Sequence, residues 1–175
     1  DRATCILFGD GGGAVLVEYD EKQPSFLSSH LYSEGEGGKH LYSTNLSTRI
    51  NGEDLNDSGN LVQNGREVYK WAVTNVPKGM QTVMKNAEYQ LNDVDWFVPH
   101  SANLRMIESI CERSGFPIER TLYSLVGYGN TSSATIPLSL EIGIKEGKLR
   151  GGEKVLLYGF GGGLAQAGLL IDWTL

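Results

Sequence analysis

Basic residues, cysteine and histidine are scarce in this sequence. Its 175 residues contain 15 Lys and Arg against 21 Asp and Glu, which leaves a formal net charge of −6, and they include two Cys and three His. Because phosphate backbones and anionic membranes attract clustered Lys and Arg, this balance argues against a general binder of nucleic acid or of membrane surfaces. An acidic partner would have to bind a local basic patch.

Signals for a metal site, a disulfide or a membrane span are absent as well. The Cys and His residues show no metal-ligand spacing, and no apolar run is long enough to cross a bilayer. Cys5 lies in a strand-like apolar run and Cys111 on an apolar helix face, so we expect buried thiols of a reducing compartment rather than a disulfide. Since no signal-peptide pattern is visible, we expect a cytoplasmic protein.

The chain has the composition of an ordinary globular domain, with 40% hydrophobic and 21% charged residues. This suffices for one hydrophobic core, so we expect a single domain over residues 1–175. The sequence has no Met at its start, and Asp1 leads almost at once into an apolar run. We therefore expect this domain to be part of a longer protein.

Two apolar runs near the start predict a β-hairpin. Cys5 to Phe8 and Ala14 to Tyr19 are joined by a glycine-rich turn, Gly9 to Gly13, and we expect both strands to be buried on both faces. Turn chemistry explains these glycines better than phosphate binding does, because a strand rather than a helix follows them.

The segment from Asp20 to about Leu61 is polar, rich in glycine and weakly periodic. Such a stretch is more typical of a functional loop region or lid than of a second domain. Phe26 to Tyr32 is predicted to form a strand within it, and His30 and His40 are interpreted as surface histidines.

His100 stands at the junction of a strand and a helix. Val94 to Val98 is rich in β-branched and aromatic residues, whereas apolar residues recur at helical spacing from Leu104 until Gly115 ends the pattern. His100 is thus predicted at the carboxyl end of a buried strand, the edge at which α/β sheets bind ligands. The plainer alternative is a histidine that only bonds a loop.

A longer helical pattern precedes this junction. Apolar residues recur every three or four positions from Val68 to Ala87, and Gly65 would open the helix. Because proline suits a first turn and not a helix interior, Pro77 is predicted to split the pattern into two abutting helices.

Asn130 is predicted at a second loop that leads into a helix. Thr121 to Val126 predicts a short strand before it, and Thr131 or Ser132 is expected to cap the helix after it. The apolar face of that helix is predicted to carry Ala134, Leu138 and Ile142, with Ile144 as a further candidate, and the helix is predicted to end around Gly147.

The chain ends in a predicted glycine-rich hairpin. Val155 to Tyr158 forms its first strand, and about Ala165 to Trp173 forms its second.

Five motifs now stand in order, namely FGDGGGAVL, NGREVYKWAV, WFVPHSANLRMIE, GYGNTSSATIPLSL and LYGFGGGLAQAGLL. Together they resemble the C-terminal half of a β-ketoacyl-acyl-carrier-protein synthase III. The resemblance implies an α/β thiolase-like half-domain, with a mixed five-stranded sheet covered by helices. It also places the family's cysteine nucleophile on an absent N-terminal half, so neither Cys5 nor Cys111 is interpreted as that nucleophile. Ser101 stands where the family more often has Gln, a change expected to affect the docking surface more than the chemistry.

The resemblance also assigns catalytic residues. Condensation would join an acyl group, held as a cysteine thioester, to the enolate left when a malonyl thioester loses CO₂. His100 and Asn130 would donate hydrogen bonds to the enolate oxygen, and acid–base work by His100 in other steps stays open. Gly162 would share a second oxyanion hole with the missing cysteine, unless the glycines from Gly159 onward form only a tight turn.

Substrate and partner residues follow from the same resemblance. Gly65, Tyr69, Ala102 and Asn103 would line the tunnel for the phosphopantetheine arm of coenzyme A or of acyl carrier protein. Lys70, Arg105 and Arg113 would meet the acidic carrier protein, or else form a plain solvated helix face. The implied partners are acyl carrier protein, acyl-CoA, a malonyl thioester and the N-terminal half of the same enzyme, in a homodimer. No metal or cofactor is expected beyond these thioester substrates.

Three alternatives remain open at this stage. A polyketide or hydroxymethylglutaryl-type condensing enzyme would keep the His and Asn pair but change the substrates. A catalytically silent scaffold or dimerisation half-domain would need neither residue. A lone hydrolase is the least favoured, because no serine occupies a nucleophile elbow.

Overall fold

The computed structural model describes residues 4–43, 47–55 and 60–175. The strands are β1 (Phe26–Ser33), β2 (Leu41–Ser43), β3 (Arg49–Ile50), β4 (Glu53–Asp54), β5 (Leu61–Gln63), β6 (Trp96–Pro99), β7 (Lys154–Gly161) and β8 (Ala165–Asp172). The α-helices are α1 (Gly65–Asn86), α2 (Leu104–Ser114), α3 (Leu125–Tyr128) and α4 (Thr135–Lys145).

A mixed four-stranded sheet with the order β1-β8-β7-β6 organises the described residues. β6 runs parallel to β7, whereas β7 with β8 and β8 with β1 are antiparallel. The α/β class is as predicted, but in place of a fifth strand Thr121 makes an isolated parallel bridge to Phe97. The predicted strand from Thr121 to Val126 is wrong beyond Leu122: the N–H of Ser124 bonds the Ser101 hydroxyl, and the chain then turns into α3.

Helices cover both faces of the sheet because the strand residues alternate between two cores. Phe97, Leu156 and Leu170 pack in the core that α1 and α2 contribute to. Their neighbours Val98, Val155 and Ile171 pack in a second core with residues of and around α4. The result is a three-layer arrangement in which the carboxyl end of β6 points at the start of α4.

α1 is continuous, so the predicted break at Pro77 is wrong. Proline lacks the N–H that would bond the Val73 carbonyl four residues earlier. The guanidinium of Arg113, from α2, reaches that carbonyl with Nη1 at 3.5 Å. A side chain of the neighbouring helix thus replaces the missing backbone donor, and Pro77 itself is buried.

The predicted N-terminal hairpin is also wrong. Residues 14–19 form no strand, and Leu16 is 95% exposed. Of the first run only Phe8 pairs, through an isolated parallel bridge to Asn130. An apolar run forms a strand only if a second strand pairs with it, and the described residues provide none here. Without that pairing Cys5, which was expected to be buried, is exposed. Cys111 is buried, as predicted.

The segment from Asp20 to Leu61 forms more regular structure than expected. β1 appears where predicted, and a 3₁₀ helix follows at Gly35–His40. β2 pairs with β5, and β3 pairs with β4. His30 and His40 are both partly exposed.

α2 begins and ends as the sequence predicts. The side chain of Asn103 accepts the N–H of Met106 at 2.9 Å, and Gly115 ends the helix in the left-handed region at φ 76°.

α4 differs from its prediction in both cap and buried face. A 3₁₀ turn, Ser132–Ala134, precedes it, and Thr131 makes no side-chain cap bond. The buried face holds Thr135, Ser139, Leu140 and Gly143, while Leu138 and Ile142 are partly buried. Hydrogen bonds at Thr135 and Ser139 offset the cost of burying their hydroxyl groups.

Candidate active site

His100 follows β6 directly and is fixed on three sides. Its backbone N–H donates to the Tyr158 carbonyl at 2.7 Å, and its ring contacts Phe160 edge-to-face at 5.3 Å between centroids. Nδ1 lies 2.8 Å from the Thr135 hydroxyl. Burial lowers the pKa of His100 from 6.5 to about 4, although a backbone hydrogen bond with Ser132 acts to raise it. The imidazole is therefore neutral at physiological pH.

Asn130 is fixed through its backbone and its side chain. Its N–H donates to the Leu7 carbonyl at 2.9 Å, and its carbonyl accepts the N–H of Gly9 at 3.0 Å. Its Oδ1 accepts the N–H of Ser132 at 2.9 Å. Oδ1 is thus engaged, whereas Nδ2 makes no hydrogen bond to the described residues and remains as a donor.

Gly9 has a specific reason to be glycine in this arrangement. A Cβ at this position would overlap the carbonyl oxygen of Tyr128. The close approach lets residues 7–9 bridge to Asn130, so the first glycine of the FGDGGG motif helps to position a candidate catalytic residue.

The two candidate donors are anchored on one short segment. Asn130 bonds the N–H of Ser132, and His100 bonds the hydroxyl of Thr135, which itself donates to the Ser132 carbonyl at 2.9 Å. Sequence analysis did not identify Thr135. In the sequence, Thr135 is a hydroxyl residue near the start of a helix, a pattern that indicates a helix cap. It does not indicate a hydrogen bond to a histidine 35 positions away.

Buried hydroxyl groups continue this network behind His100. Ser101, Ser124 and Ser139 are almost completely buried. Ser101 Oγ accepts the N–H of Ser124 at 3.1 Å and lies 3.5 Å from the hydroxyl of Ser139. The expectation that Ser101 belongs to a docking surface is therefore wrong, because its side chain joins β6 to α4 inside the protein.

Gly162 lies in the exposed turn between β7 and β8. A Cβ there would stand 3.2 Å from the Leu41 carbonyl oxygen, a tight contact that favours glycine. The structure therefore supports a close backbone approach at this turn.

The predicted substrate residues lie around the first turns of α1 and α2. Gly65 opens α1 beside a cavity of about 600 Å³ that Tyr42 and Gln63 also line. The hydroxyl of Tyr69 is 2.7 Å from that of Ser109 in α2. Ala102 packs against the core, and Oδ1 of Asn103 accepts the N–H of Met106 as the N-cap of α2. Neither His100 nor Asn130 lines this cavity.

Lys70, Arg105 and Arg113 are all exposed. None of them makes an ion pair with another described residue. Arg113 is partly committed to the Val73 carbonyl, which leaves Lys70 and Arg105 as the freer cations of the expected docking patch.

Neither cysteine is set up as a nucleophile. Burial raises the pKa of the Cys111 thiol, and its Sγ lies 3.5 Å from the Thr121 hydroxyl. Cys5 is exposed and belongs to no strand-to-helix elbow.

Within the described ranges, no cluster of three His, Cys, Asp or Glu residues could hold a metal ion. The described helices also include none with the length and hydropathy of a membrane span.

Comparison with known proteins now decides the family. Residues 84–173 match the family described as 3-oxoacyl-[acyl-carrier-protein] synthase III C terminal, and residues 1–35 match the family 3-oxoacyl-[acyl-carrier-protein] synthase III. The chain belongs to the 3-oxoacyl-[acyl-carrier-protein] synthase III family. A synthase III from Halalkalibacterium halodurans is 68% identical over 174 residues, covering 99% of this chain and 52% of that protein.

Solved structures agree on the fold. The synthase III from Thermus thermophilus superposes with a TM-score of 0.86 at 38% identity, covering 99% of this chain and 54% of that one. The enzyme from Aquifex aeolicus gives 0.88 at 34% identity, covering 99% and 52%. The chain therefore has the thiolase-like α/β fold and spans about half the length of these relatives.

Proposed function

We propose that this chain supplies the enolate-stabilising part of a 3-oxoacyl-[acyl-carrier-protein] synthase III. The reaction is the decarboxylative condensation of an acyl-CoA primer with malonyl-acyl carrier protein, in fatty-acid synthesis. The malonyl thioester loses CO₂ and forms an enolate. The enolate carbon then attacks the acyl thioester on a cysteine outside this chain and expels the cysteine thiolate.

The observation that carries this proposal is the shared anchoring of His100 and Asn130 on Ser132 and Thr135. Enolate stabilisation needs preorganised donors that do not reorganise during the reaction. Oδ1 of Asn130 accepts the N–H of Ser132, so Nδ2 is the group left to donate, and an amide remains a donor at every working pH. The low pKa of His100 keeps that ring neutral, as suits a hydrogen-bond donor to an enolate.

The remaining assignments belong to the same proposal. Gly162 would offer its backbone N–H to the acyl thioester oxygen. Gly65, Tyr69, Ala102 and Asn103 would contact the pantetheine arm, and Lys70, Arg105 and Arg113 would bind acyl carrier protein. We further propose a homodimeric, cytoplasmic enzyme that needs no cofactor besides its thioester substrates.

A chimeric enzyme tests the proposal. The corresponding part of the Halalkalibacterium halodurans synthase would be replaced by this chain, which is 68% identical to it. We expect ketoacyl product from acyl-CoA and malonyl-acyl carrier protein, and a loss of about two to three orders of magnitude in rate for Asn130→Ala.

Glu141→Ala is the matched control, because Glu141 is exposed on α4 and, among the described residues, forms an ion pair only with Lys145. An active chimera that tolerates Asn130→Ala would refute the proposed role. A stably folded chimera without condensing activity would favour a silent scaffold.

The 175-residue chain alone should form no ketoacyl product. It supplies donors for the enolate, but its described residues hold no activated thiol on which an acyl group could wait. Turnover by the chain alone that Cys111→Ala abolishes would contradict this assignment.

A further inference from the structure

Residues 9–13 form a glycine strap that consists of four glycines and Asp10. None of these four glycines has a positive φ. The left-handed backbone that favours glycine in tight turns is therefore not the reason for them, and the turn chemistry predicted from the sequence does not account for them. The alternative reason is space, because a backbone without a Cβ can approach its neighbours more closely.

Two glycines of the strap lie directly against the start of α4 and the residues before it. A Cβ on Gly11 would stand 2.9 Å from the methyl group of Thr131 and 3.0 Å from Cδ1 of Leu138. A Cβ on Gly13 would stand 2.5 Å from the ring of Pro137. Both distances are too short for an ordinary side-chain contact, so either added methyl group would push the strap away.

These contacts alternate along the strap. Gly9, Gly11 and Gly13 each face the segment 128–138, whereas a Cβ on Gly12 would meet nothing within 4 Å beyond its chain neighbours. This is the alternation of an extended chain, in which every second residue points to the same side. The strap therefore lies with one side against the segment 128–138, and it needs glycine on that side alone.

The strap continues from the residues that hold the backbone of Asn130. The N–H of Asn130 donates to the Leu7 carbonyl, and its own carbonyl accepts the N–H of Gly9. Both backbones carry glycine at this crossing, since a Cβ on Gly129 would stand 3.1 Å from the Leu7 carbonyl oxygen. Thr131, the next residue, is almost completely buried with its methyl group under the strap.

We propose that Gly11 and Gly13 are positioning residues, which let the strap clamp the loop of Asn130 in place. The inference rests on the proposed function for what the Asn130 amide does. A side chain on the facing side of the strap would lift it and loosen the two backbone hydrogen bonds at Asn130. A displacement of about 1 Å in a catalytic group can cost about 100-fold in rate.

Amide hydrogen exchange of the ¹⁵N-labelled chain tests the clamp without a substrate. We expect the N–H groups of Asn130 and Gly9 to exchange clearly more slowly than those of residues 14–19, which form no strand. Gly11→Ala should speed the exchange of both groups, and the matched control Gly12→Ala should leave it unchanged. Wild-type exchange as fast as in residues 14–19 would overturn the proposal, whether or not any variant folds.

Kinetics of the chimeric enzyme test the consequence for the reaction. Gly11→Ala should slow CO₂ release from malonyl-acyl carrier protein by about 10- to 100-fold, while acyl loading of the upstream cysteine stays close to that of the parent. Gly12→Ala should change neither rate. In an Asn130→Ala background, Gly11→Ala should have little further effect, because the group that it positions is gone. A full further loss in that background would overturn the positioning role.

Thr131→Ser supplies a rescue, because it removes the methyl group that the new side chain of Gly11→Ala would strike. The Gly11→Ala/Thr131→Ser double variant should recover part of the lost rate and of the lost protection from exchange. No recovery of either would overturn the contact as the cause. A chimera that condenses no thioesters would count against the proposed function, whereas the exchange measurements would still decide whether the strap clamps Asn130.

Discussion

Gly79 lies in α1 where the helix packs against Tyr158 of β7. A Cβ at this position would overlap the hydroxyl of Tyr158 and lie 3.3 Å from Oε1 of Gln166. Tyr158 is fully buried, and its hydroxyl donates to Gln166 at 3.1 Å. Gly79→Ala should therefore push a buried side chain out of its hydrogen bond, even though alanine is the better helix former.

The expected cost can be worked out from these contacts. Alanine gains about 1 kcal/mol over glycine in a helix interior. Overpacking a dense core costs about 1–3 kcal/mol, and leaving Gln166 without its buried donor costs about 1–3 kcal/mol more. The net loss in the free energy of unfolding should thus be about 1–5 kcal/mol.

Urea unfolding followed by tryptophan fluorescence would measure this loss. Tyr158→Phe removes the atom that clashes, so the loss in the Gly79→Ala/Tyr158→Phe double variant should be clearly smaller than the sum of the two single losses. Additive losses would refute the steric reasoning. The Tyr158 carbonyl accepts the backbone N–H of His100, so a displacement of Tyr158 by Gly79→Ala should also change the His100 signals in an NMR spectrum.

Three further predictions concern charge and backbone donors. Burial lowers the pKa of His100 from 6.5 to about 4, so between these two pH values the unfolded chain is protonated at His100 and the folded chain is not. The free energy of unfolding should therefore fall as the pH drops from about 6.5 toward 4, by up to about 3 kcal/mol. Urea unfolding across this pH range should show a smaller loss for His100→Gln. In the chimera, Arg105→Glu should weaken use of malonyl-acyl carrier protein in a salt-dependent way and spare small CoA thioesters, whereas equal damage to both would indicate misfolding. Arg113→Met should lower the free energy of unfolding by about 1 kcal/mol, because the Val73 carbonyl loses its donor. In a Pro77→Ala background the helix N–H is restored, so Arg113→Met should have no such cost. The same cost in both backgrounds would contradict the role of Arg113 as the donor to Val73.

The sequence predicts best where one local pattern decides the structure. The apolar run before His100 and the spacing from Leu104 onward yield β6 and α2, and Gly115 ends that helix as expected. The helical pattern of α1 is equally clear. Each of these depends on periodicity and caps, which a short window of sequence contains.

Contacts between distant residues account for the failures. Pro77 is tolerated because Arg113, 36 positions later, supplies a donor to Val73. Thr135 and Ser139 face inward because hydroxyl groups can be satisfied there, which the apolar pattern of α4 does not reveal. The run from Ala14 to Tyr19 has strand-like composition, but pairing needs a partner that the described residues do not provide.

The candidate site was predictable only in part. His100 and Asn130 were each expected at a strand or loop leading into a helix, and in the structure both side chains hydrogen-bond to residues of the segment 132–135. Their direct donor role stays a prediction. The buried hydroxyl groups that orient them could not be found from sequence, because their partners are set by the packing of α4 against β6.

Release of labelled CO₂ from malonyl-acyl carrier protein by the chimeric enzyme tests the central claim most directly. If His100 and Asn130 stabilise the enolate, His100→Ala and Asn130→Ala should each slow CO₂ release by about two to three orders of magnitude. Loading of the acyl group onto the upstream cysteine should stay within a few-fold of the parent chimera. Unchanged CO₂ release in both variants, or an equal loss of acyl loading, would contradict the account.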